Sequence, residues 1–500
     1  MTELEKHFAP FAKKIIGLNK TFDTPYGKKQ IIYTDWIASG RLYSDIEKKI
    51  TNDFGPYVAN THTETSETGT IITKSYHYAK KIIKKHVNAN NDDILINAGR
   101  GMTGAVNKLI RILGFKYDGK YFEKKHLLPE DIPLVIVSHM EHHSNHTSWL
   151  TTIADVIIVK PDKENNFSFD NLKKILTENK NRKYKIVSVS AASNITGIKT
   201  DYKKIASIAH KNNAFCFVDF AASAPYVDID MHPKNDKLSY LDAIFFSPHK
   251  FLGGPGSAGV LIFNKKLYNN KIPDHTGGGI VKWTNAWNEY AFVDEIEERE
   301  DAGTPAFLQT IRTALVIKLK QKMNCKKIEE RENEINKIIF DKLLKIKNIV
   351  VLAKNNRNRL SVFSFYHKKI HYNLFVKLLS DVFGIQVRGG CACAGTYGHF
   401  LLNIKKTESH KITNEINSGN LSHKPGFVRL SLHPTTTNNQ IDYIINAIKT
   451  IDKDFEKYQQ DYIYNKTTNE FYHKNFKSND IYKKWFAFSC LRHWDTQIKN

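Results

Sequence analysis

Cysteine is scarce in this chain: five thiols among 500 residues, at Cys216, Cys325, Cys391, Cys393 and Cys490. They are too few and too unevenly spread for a disulfide framework, which fits a reducing compartment. Long apolar runs are also lacking. No stretch approaches the roughly 20 residues that cross a bilayer, so no membrane partner is expected. The first residues, MTELEKHFAPFAKKIIGLNK, mix charges through their apolar positions and lack the uninterrupted core of a secretory leader. Together these absences predict a soluble cytoplasmic protein. Acidic residues are outnumbered, 51 against 74 Lys and Arg, for a net charge of +23. Such an excess invites a nucleic-acid partner. Yet the basic residues are dispersed, and no zinc-finger, RNP or basic-zipper pattern accompanies them, so nucleic acid is not expected to be the main partner.

What is present is enough apolar sequence, 41%, for a large core and more than one domain. Short apolar runs alternate with helical patterns between about residues 90 and 265. Strands are predicted at Ile94–Asn97, Leu134–Ser138, Val156–Val159, Ile186–Ser190, Phe215–Asp219, Ala243–Ser247 and Gly259–Phe263. Ala105–Leu113 reads as a helix, with Val106, Leu109, Ile110 and Leu113 on one face. The alternation predicts an α/β domain with a largely parallel sheet, which binds ligands beyond its strand ends. From about residue 316 the pattern changes to long helices, then strands near Leu360–Phe365 and Val428–Leu432, then a helix at Asn439–Ile451. That is a smaller α+β domain. The expected divisions are an N-terminal segment 1–30, a large domain 31–315, a small domain 316–453 and an extension 454–500. Residues 404–426 read as a polar loop insertion.

Four motifs carry chemistry. Gly99-Arg-Gly-Met-Thr-Gly104 follows a strand and opens a helix. It matches a dinucleotide fingerprint, but no acid stands at the required distance after a second strand. Its backbone N–H groups and the Thr103 hydroxyl suit a phosphate. Ser247-Pro-His-Lys250 precedes a glycine-rich turn; a desolvated lysine there can form a Schiff base, whereas a solvated one is inert. Asp219 ends an apolar strand, where a carboxylate needs a cation such as a pyridinium unless it caps a helix. Met140-Glu-His-His-Ser-Asn145 follows another strand. Its histidines could ligate metal, but no companion ligands lie nearby in sequence, and stacking on a flat aromatic ligand is the competing role. No metal site is expected. All four motifs sit at the C-terminal ends of predicted strands, which converge on one crevice in a parallel sheet.

With these motifs in this order, the sequence resembles the class V aminotransferases, specifically the cysteine desulfurases, a fold-type I pyridoxal-phosphate group, over roughly Ile31 to Ile451. The resemblance implies a fold-type I transferase: a large, mostly parallel sheet domain and a smaller α+β C-terminal domain. It makes Lys250 the lysine that binds pyridoxal 5'-phosphate. It places Gly101, Met102, Thr103, Ser247 and His249 around the phosphate, His142 on the cofactor ring and Asp219 at the pyridine nitrogen. Asn194, in Ser193-Asn-Ile-Thr-Gly197, falls near the cofactor's phenolic oxygen and the substrate. Thr304, in Asp301-Ala-Gly-Thr-Pro305, matches a threonine that reaches the phosphate of the other subunit, which implies a homodimer. Arg429 matches the arginine that holds the substrate carboxylate, and Arg388 and His62 are further substrate-side candidates. In Val387-Arg-Gly-Gly-Cys-Ala-Cys-Ala394 the register makes Cys393 the persulfide nucleophile. Cys391 is extra, although a C-x-C here is also similar to molybdenum-cofactor sulfurases. The implied reaction converts L-cysteine to L-alanine and passes sulfur to an acceptor protein. The family's usual D-x-A-Q ends here in Ala222, so the glutamine contact to the cofactor is missing or supplied otherwise. That keeps other class V reactions open: a C–S lyase on a larger thioether, an epimerase or an aminotransferase.

Overall fold

The computed structural model describes residues 1–61, 63–116, 127–477 and 480–486. All seven strands expected between residues 90 and 265 form, within a residue or so of their expected ends, and they build one sheet. They are β1 Asp93–Ala98, β2 Leu134–Ser138, β3 Asp155–Val159, β4 Lys185–Ser190, β5 Phe215–Asp219, β6 Ala243–Phe246 and β7 Gly259–Asn264. The order across the sheet is β1-β7-β6-β5-β4-β2-β3. Only β7 runs against its neighbours, pairing antiparallel with β1 and β6. The strands are apolar on both faces because both faces are covered. Alternate residues divide between two cores: Leu134 and Ile136 join one, Val135 and Val137 the other. This is the helix–sheet–helix layering of a fold-type I transferase, as expected.

The helix after β1 begins at Gly101, four residues before its apolar periodicity starts, and runs to Ile112. Ala105, Val106, Leu109 and Ile112 bury its inner face. A separate core holds the C-terminal domain together. Its sheet joins β8 Ile349–Val351, β9 Val362–His367, β10 Arg388–Gly390 and β11 Phe427–Ser431 in the order β8-β9-β11-β10. The helix Phe307–Met323 spans the boundary expected at residue 316.

Residues 404–426 are not simply loop. They contain a helix, Lys406–Asn417, with no buried residue. A helix that buries nothing leaves no apolar periodicity to read. It is tied at its start by the His399 ring to the Ser409 hydroxyl, 2.9 Å away. After residue 453 the last long helix continues to Gln459. A hairpin follows, Tyr462–Asn465 with Glu470–His473. Tyr462 is buried and donates to Asp381 at 2.9 Å, and Asn469 donates to the Tyr372 hydroxyl at 2.6 Å. This part of the tail is therefore packed on the small domain.

Residues 32–37, expected at the start of the large domain, pair instead with the C-terminal part of the chain. Ile32 and Tyr33 pair in parallel with Ile385 and Gln386. Ser431 N–H then donates to the Thr34 carbonyl at 2.8 Å, and Ile37 N–H to the Ser431 hydroxyl at 3.0 Å. Residues 32–37 are thus woven into the small-domain sheet beside β11.

Candidate active site

One cavity gathers the ends of five sheet strands and a wall from the small domain. Met102 and Thr103 enter after β1, His142 after β2, Asn194 after β4, Asp219 at the end of β5, and Ser247, His249 and Lys250 after β6; Arg388, Cys393 and Arg429 close the opposite side. Gly101 stands just behind, where a Cβ would lie 3.0 Å from the Ser247 hydroxyl. Its φ of +59° is a left-handed conformation that glycine adopts without strain. Gly259 must also be glycine, since a Cβ there would meet the Gly101 carbonyl at 2.0 Å. Thr304 does not line this cavity and is exposed. His62 lies outside the described residues.

The anion end is built from backbone. Arg100, before the helix Gly101–Ile112, does not cap it with its own side chain, so the first turn offers N–H groups and the positive end of the dipole. Met102 N–H donates to the Ser247 hydroxyl at 2.8 Å, and the Thr103 and Ser144 hydroxyls stand 2.6 Å apart. Burial pushes His249 down to about 4, with the Lys250 ammonium adding to the effect.

In the middle, Asp219 is 4% exposed and accepts from Ala221 N–H at 2.7 Å. Burial raises its carboxyl well above the usual range, and the nearby Glu141 adds to this. Burial also lowers Lys250, against the opposing pull of Asp219. Among the described residues neither side chain forms an ion pair. His142 is pushed down to about 3, first by burial and then by Lys250. Its Nδ1 accepts from Ser144 N–H at 3.1 Å, which fixes a neutral ring orientation.

The thiol end is strained and pinned. Ala392 and Cys393 both take left-handed φ, 46° and 59°, each costing of the order of 1–3 kcal/mol. Ala394 N–H closes the turn onto the Cys391 carbonyl at 3.1 Å. The large domain holds it from both sides. His143 N–H donates to the Cys393 carbonyl at 2.8 Å, Asn194 to the Ala392 carbonyl at 2.7 Å, and Gly395 N–H to the His143 ring at 2.9 Å. The Cys393 thiol is exposed to the cavity. Cys391 does not line it; its thiol points away, to the Pro425 carbonyl at 3.0 Å, and burial raises its pKa. The two cysteines are therefore not equivalent. No disulfide joins Cys216, Cys325, Cys391 or Cys393.

Sequence reasoning missed two acids. Glu141 is buried beneath His142 and receives hydrogen bonds from Ser138, Asn145, Ser190 N–H and the Ser190 hydroxyl. Its signal was available: it adjoins His142 in the same motif. Asp35 had none, because its partners are 353 and 394 residues away. It receives Arg388 Nε at 3.0 Å and Arg429 Nη2 at 2.7 Å.

These groups suit a flat aromatic ligand with a phosphate at one end and a basic ring nitrogen. Asp219 is a buried acid that forms no ion pair among the described residues, and Asn194 Oδ1 and Arg429 Nε are buried with no partner among them. Pyridoxal phosphate and an amino-acid substrate would satisfy them, with Lys250 within the same cavity. Ala222 also lines the wall and offers no hydrogen bond.

Fold and cavity thus define an α/β protein with a desolvated lysine in a cavity at its sheet ends. The chain belongs to the class-V aminotransferase family, whose profile matches residues 32–444; enzymes of this family are pyridoxal-phosphate dependent. It is 26% identical over 388 residues to a probable cysteine desulfurase of Halalkalibacterium halodurans, covering 77% of this chain and 89% of that one. It is 25% identical over 441 residues to a probable cysteine desulfurase of Staphylococcus aureus, covering 87% and 95%. Among solved structures, the apo cysteine desulfurase of Thermococcus onnurineus matches with a TM-score of 0.68 at 20% identity, over 85% of this chain and 95% of that one. The cysteine desulfurase CsdA of Escherichia coli matches with a TM-score of 0.68 at 21% identity, over 90% and 98%. At those identities the structures speak for the fold. No described helix is long and apolar enough to cross a membrane.

Proposed function

We propose that this protein is a pyridoxal-phosphate-dependent cysteine desulfurase that converts L-cysteine to L-alanine and carries the sulfur as a persulfide on Cys393. The observation that carries the reading is a free thiol and a desolvated lysine lining one cavity, with a buried arginine beside them. Arg429 holds the substrate carboxylate, and Asn194 orients the amino acid from the neighbouring wall. The lowered proton affinity of Lys250 suits its Nζ to take the Cα proton and later return one. Pyridoxal phosphate, when bound, supplies the electron sink for that step, with Asp219 facing its ring nitrogen and His142 its face. The Cys393 thiolate attacks the substrate sulfur. The carbon–sulfur bond breaks, its electron pair stays with carbon, a proton joins that carbon, and a sulfur–sulfur bond forms on the enzyme. Alanine leaves and the sulfur remains for an acceptor protein.

Thr304, exposed and not lining its own chain's cavity, is assigned to the cofactor phosphate of a second subunit in a homodimer. A cytoplasmic setting agrees with the free thiols. Ala222 keeps a second reading open, another class V reaction such as a C–S lyase on a larger thioether, an epimerase or an aminotransferase, because a methyl group stands where the resemblance leads one to expect glutamine. Product analysis after incubation with L-cysteine separates the two. Equimolar alanine and protein-bound sulfur support desulfuration, whereas pyruvate and ammonia, with no protein-bound sulfur, refute it.

A further inference from the structure

The C-terminal extension reaches the roots of the thiol turn. The family profile ends at residue 444, and the hairpin Tyr462–Asn465 with Glu470–His473 lies beyond it. In the hairpin's turn Asn469 is buried and takes a left-handed φ of 59°, which asparagine adopts more readily than most residues. Its Nδ2 donates to the Tyr372 hydroxyl at 2.6 Å, its Oδ1 accepts from the Tyr464 hydroxyl at 2.9 Å, and its carbonyl accepts from Asn373 Nδ2. Tyr372 and Asn373 open the helix Tyr372–Phe383, and they back the two ends of the thiol turn. A Cβ at Gly426 would lie 2.5 Å from the Tyr372 ring, and one at Gly389 would lie 2.4 Å from Asn373 Oδ1. Bare backbone therefore packs on both residues. Gly389 leads within two residues to Cys391. Gly426 follows Pro425, whose carbonyl accepts from the Cys391 thiol at 3.0 Å. The insertion joins the same assembly, since Leu421 N–H donates to the Lys466 carbonyl of the hairpin turn at 2.9 Å.

We infer that Asn469 is a positioning residue for the sulfur-carrying turn: through Tyr372 and Asn373 it fixes the roots of residues 391–394, so that Cys393 and not Cys391 faces the cavity. This rests on the reading of Cys393 as the sulfur carrier. The physical need for a brace is the pair of left-handed residues, Ala392 and Cys393, which persist only while the surrounding structure holds them. His143 and Asn194 hold the middle of the turn from the large domain. Its two roots rest on Tyr372 and Asn373, and Asn469 bonds to both. With Asn469 removed, the roots loosen, the strained pair relaxes, and the Cys391 thiol leaves the Pro425 carbonyl. Asn469 touches neither substrate nor cofactor and acts only through its two neighbours.

The test uses the full-length holoprotein and two variants. Asn469→Gly keeps the left-handed backbone and the carbonyl bond to Asn373 but removes the bond to Tyr372. Tyr372→Phe removes that bond from the other side and keeps the ring against Gly426. The first readout is iodoacetamide labelling of Cys391 and Cys393 without substrate, resolved by fragment ions in mass spectrometry. In the wild type Cys393 should label faster than Cys391. In each variant the Cys391 rate should rise by about three- to tenfold, the equilibrium worth of one hydrogen bond. The second readout is turnover of L-cysteine: kcat should fall about tenfold with KM within about twofold, because the nucleophile is misplaced and substrate binding is not. The double variant should be no worse than either single one, since both remove the same contact. A merely structural role lowers the melting temperature and leaves the labelling ratio and kcat of the folded protein unchanged. That result in both single variants overturns the inference and leaves desulfuration standing. A wild type that forms no alanine from L-cysteine refutes desulfuration instead, and the labelling rates, which need no turnover, still decide whether Asn469 positions the turn.

Discussion

The two walls of the cavity are made by different means. On the large-domain side every group hangs from a strand end: Asp219, Ser247, Lys250 and His142 follow directly from β5, β6 and β2, on backbone whose left-handed residues beside them, such as Gly101 and Gly253, are glycines. On the small-domain side the groups are held under tension. Cys393 sits in a turn with two left-handed non-glycine residues, and two arginines face each other across a strand pair. The first wall is pre-shaped by the sheet; the second stays in place because His143, Asn194 and Asp35 hold it. The comparison separates a wall shaped by its own strands from one that other residues must hold in place.

The largest effect should come from breaking the first wall. Lys250→Ala should lose about 10⁴-fold or more in alanine formation, because it removes both the cofactor attachment and the proton carrier. Its protein should also lack the visible absorbance of the cofactor–lysine adduct. Cys393→Ser on the second wall should keep that absorbance yet carry no persulfide, and its turnover should fall below about one per cent. If both variants lose the absorbance, the two walls are not separable in this way.

A pH series gives the next effect. Burial holds His142 at about 3 and His249 at about 4, and His433 of the small domain at about 3. In the unfolded chain each takes up a proton near pH 6.5, so below that pH the unfolded state binds more protons and the fold loses stability. Melting temperature should fall steadily from pH 7 to 5. His142 should add no inflection to the activity profile over the same range, since it stays neutral throughout. A stability plateau across that interval would contradict the neutral, buried assignment.

Smaller effects test the turn. Ala392→Gly removes a strained left-handed alanine and should raise stability by about 1 kcal/mol in urea unfolding. Cys391→Ser should change activity by no more than about twofold, the range of a side chain outside the chemistry, because its thiol contacts Pro425 and not the cavity. A large activity loss in Cys391→Ser would reopen a relay between the two thiols.

The first wall was legible in the sequence for a physical reason. A residue at a strand end is tied to an apolar run that can be read locally, so Asp219, Lys250 and the phosphate loop could be placed before any contact was known. The second wall was legible only by register with a family, since nothing local tells Cys393 from Cys391. What separates them is a contact to Pro425, 34 residues away, and the tether from His143. Asp35 was not legible at all: a lone acid in Tyr33-Thr-Asp-Trp36 gains meaning only when the N-terminal segment threads beside β11. The helix Lys406–Asn417 escaped because it buries nothing.

The most direct test is to mix the protein with L-cysteine, digest it without reductant and map added sulfur by mass spectrometry. The account predicts one added sulfur atom on Cys393, none on Cys391, and an equal yield of alanine. Alanine released with Cys393 unmodified, or sulfur found first on Cys391, would contradict it.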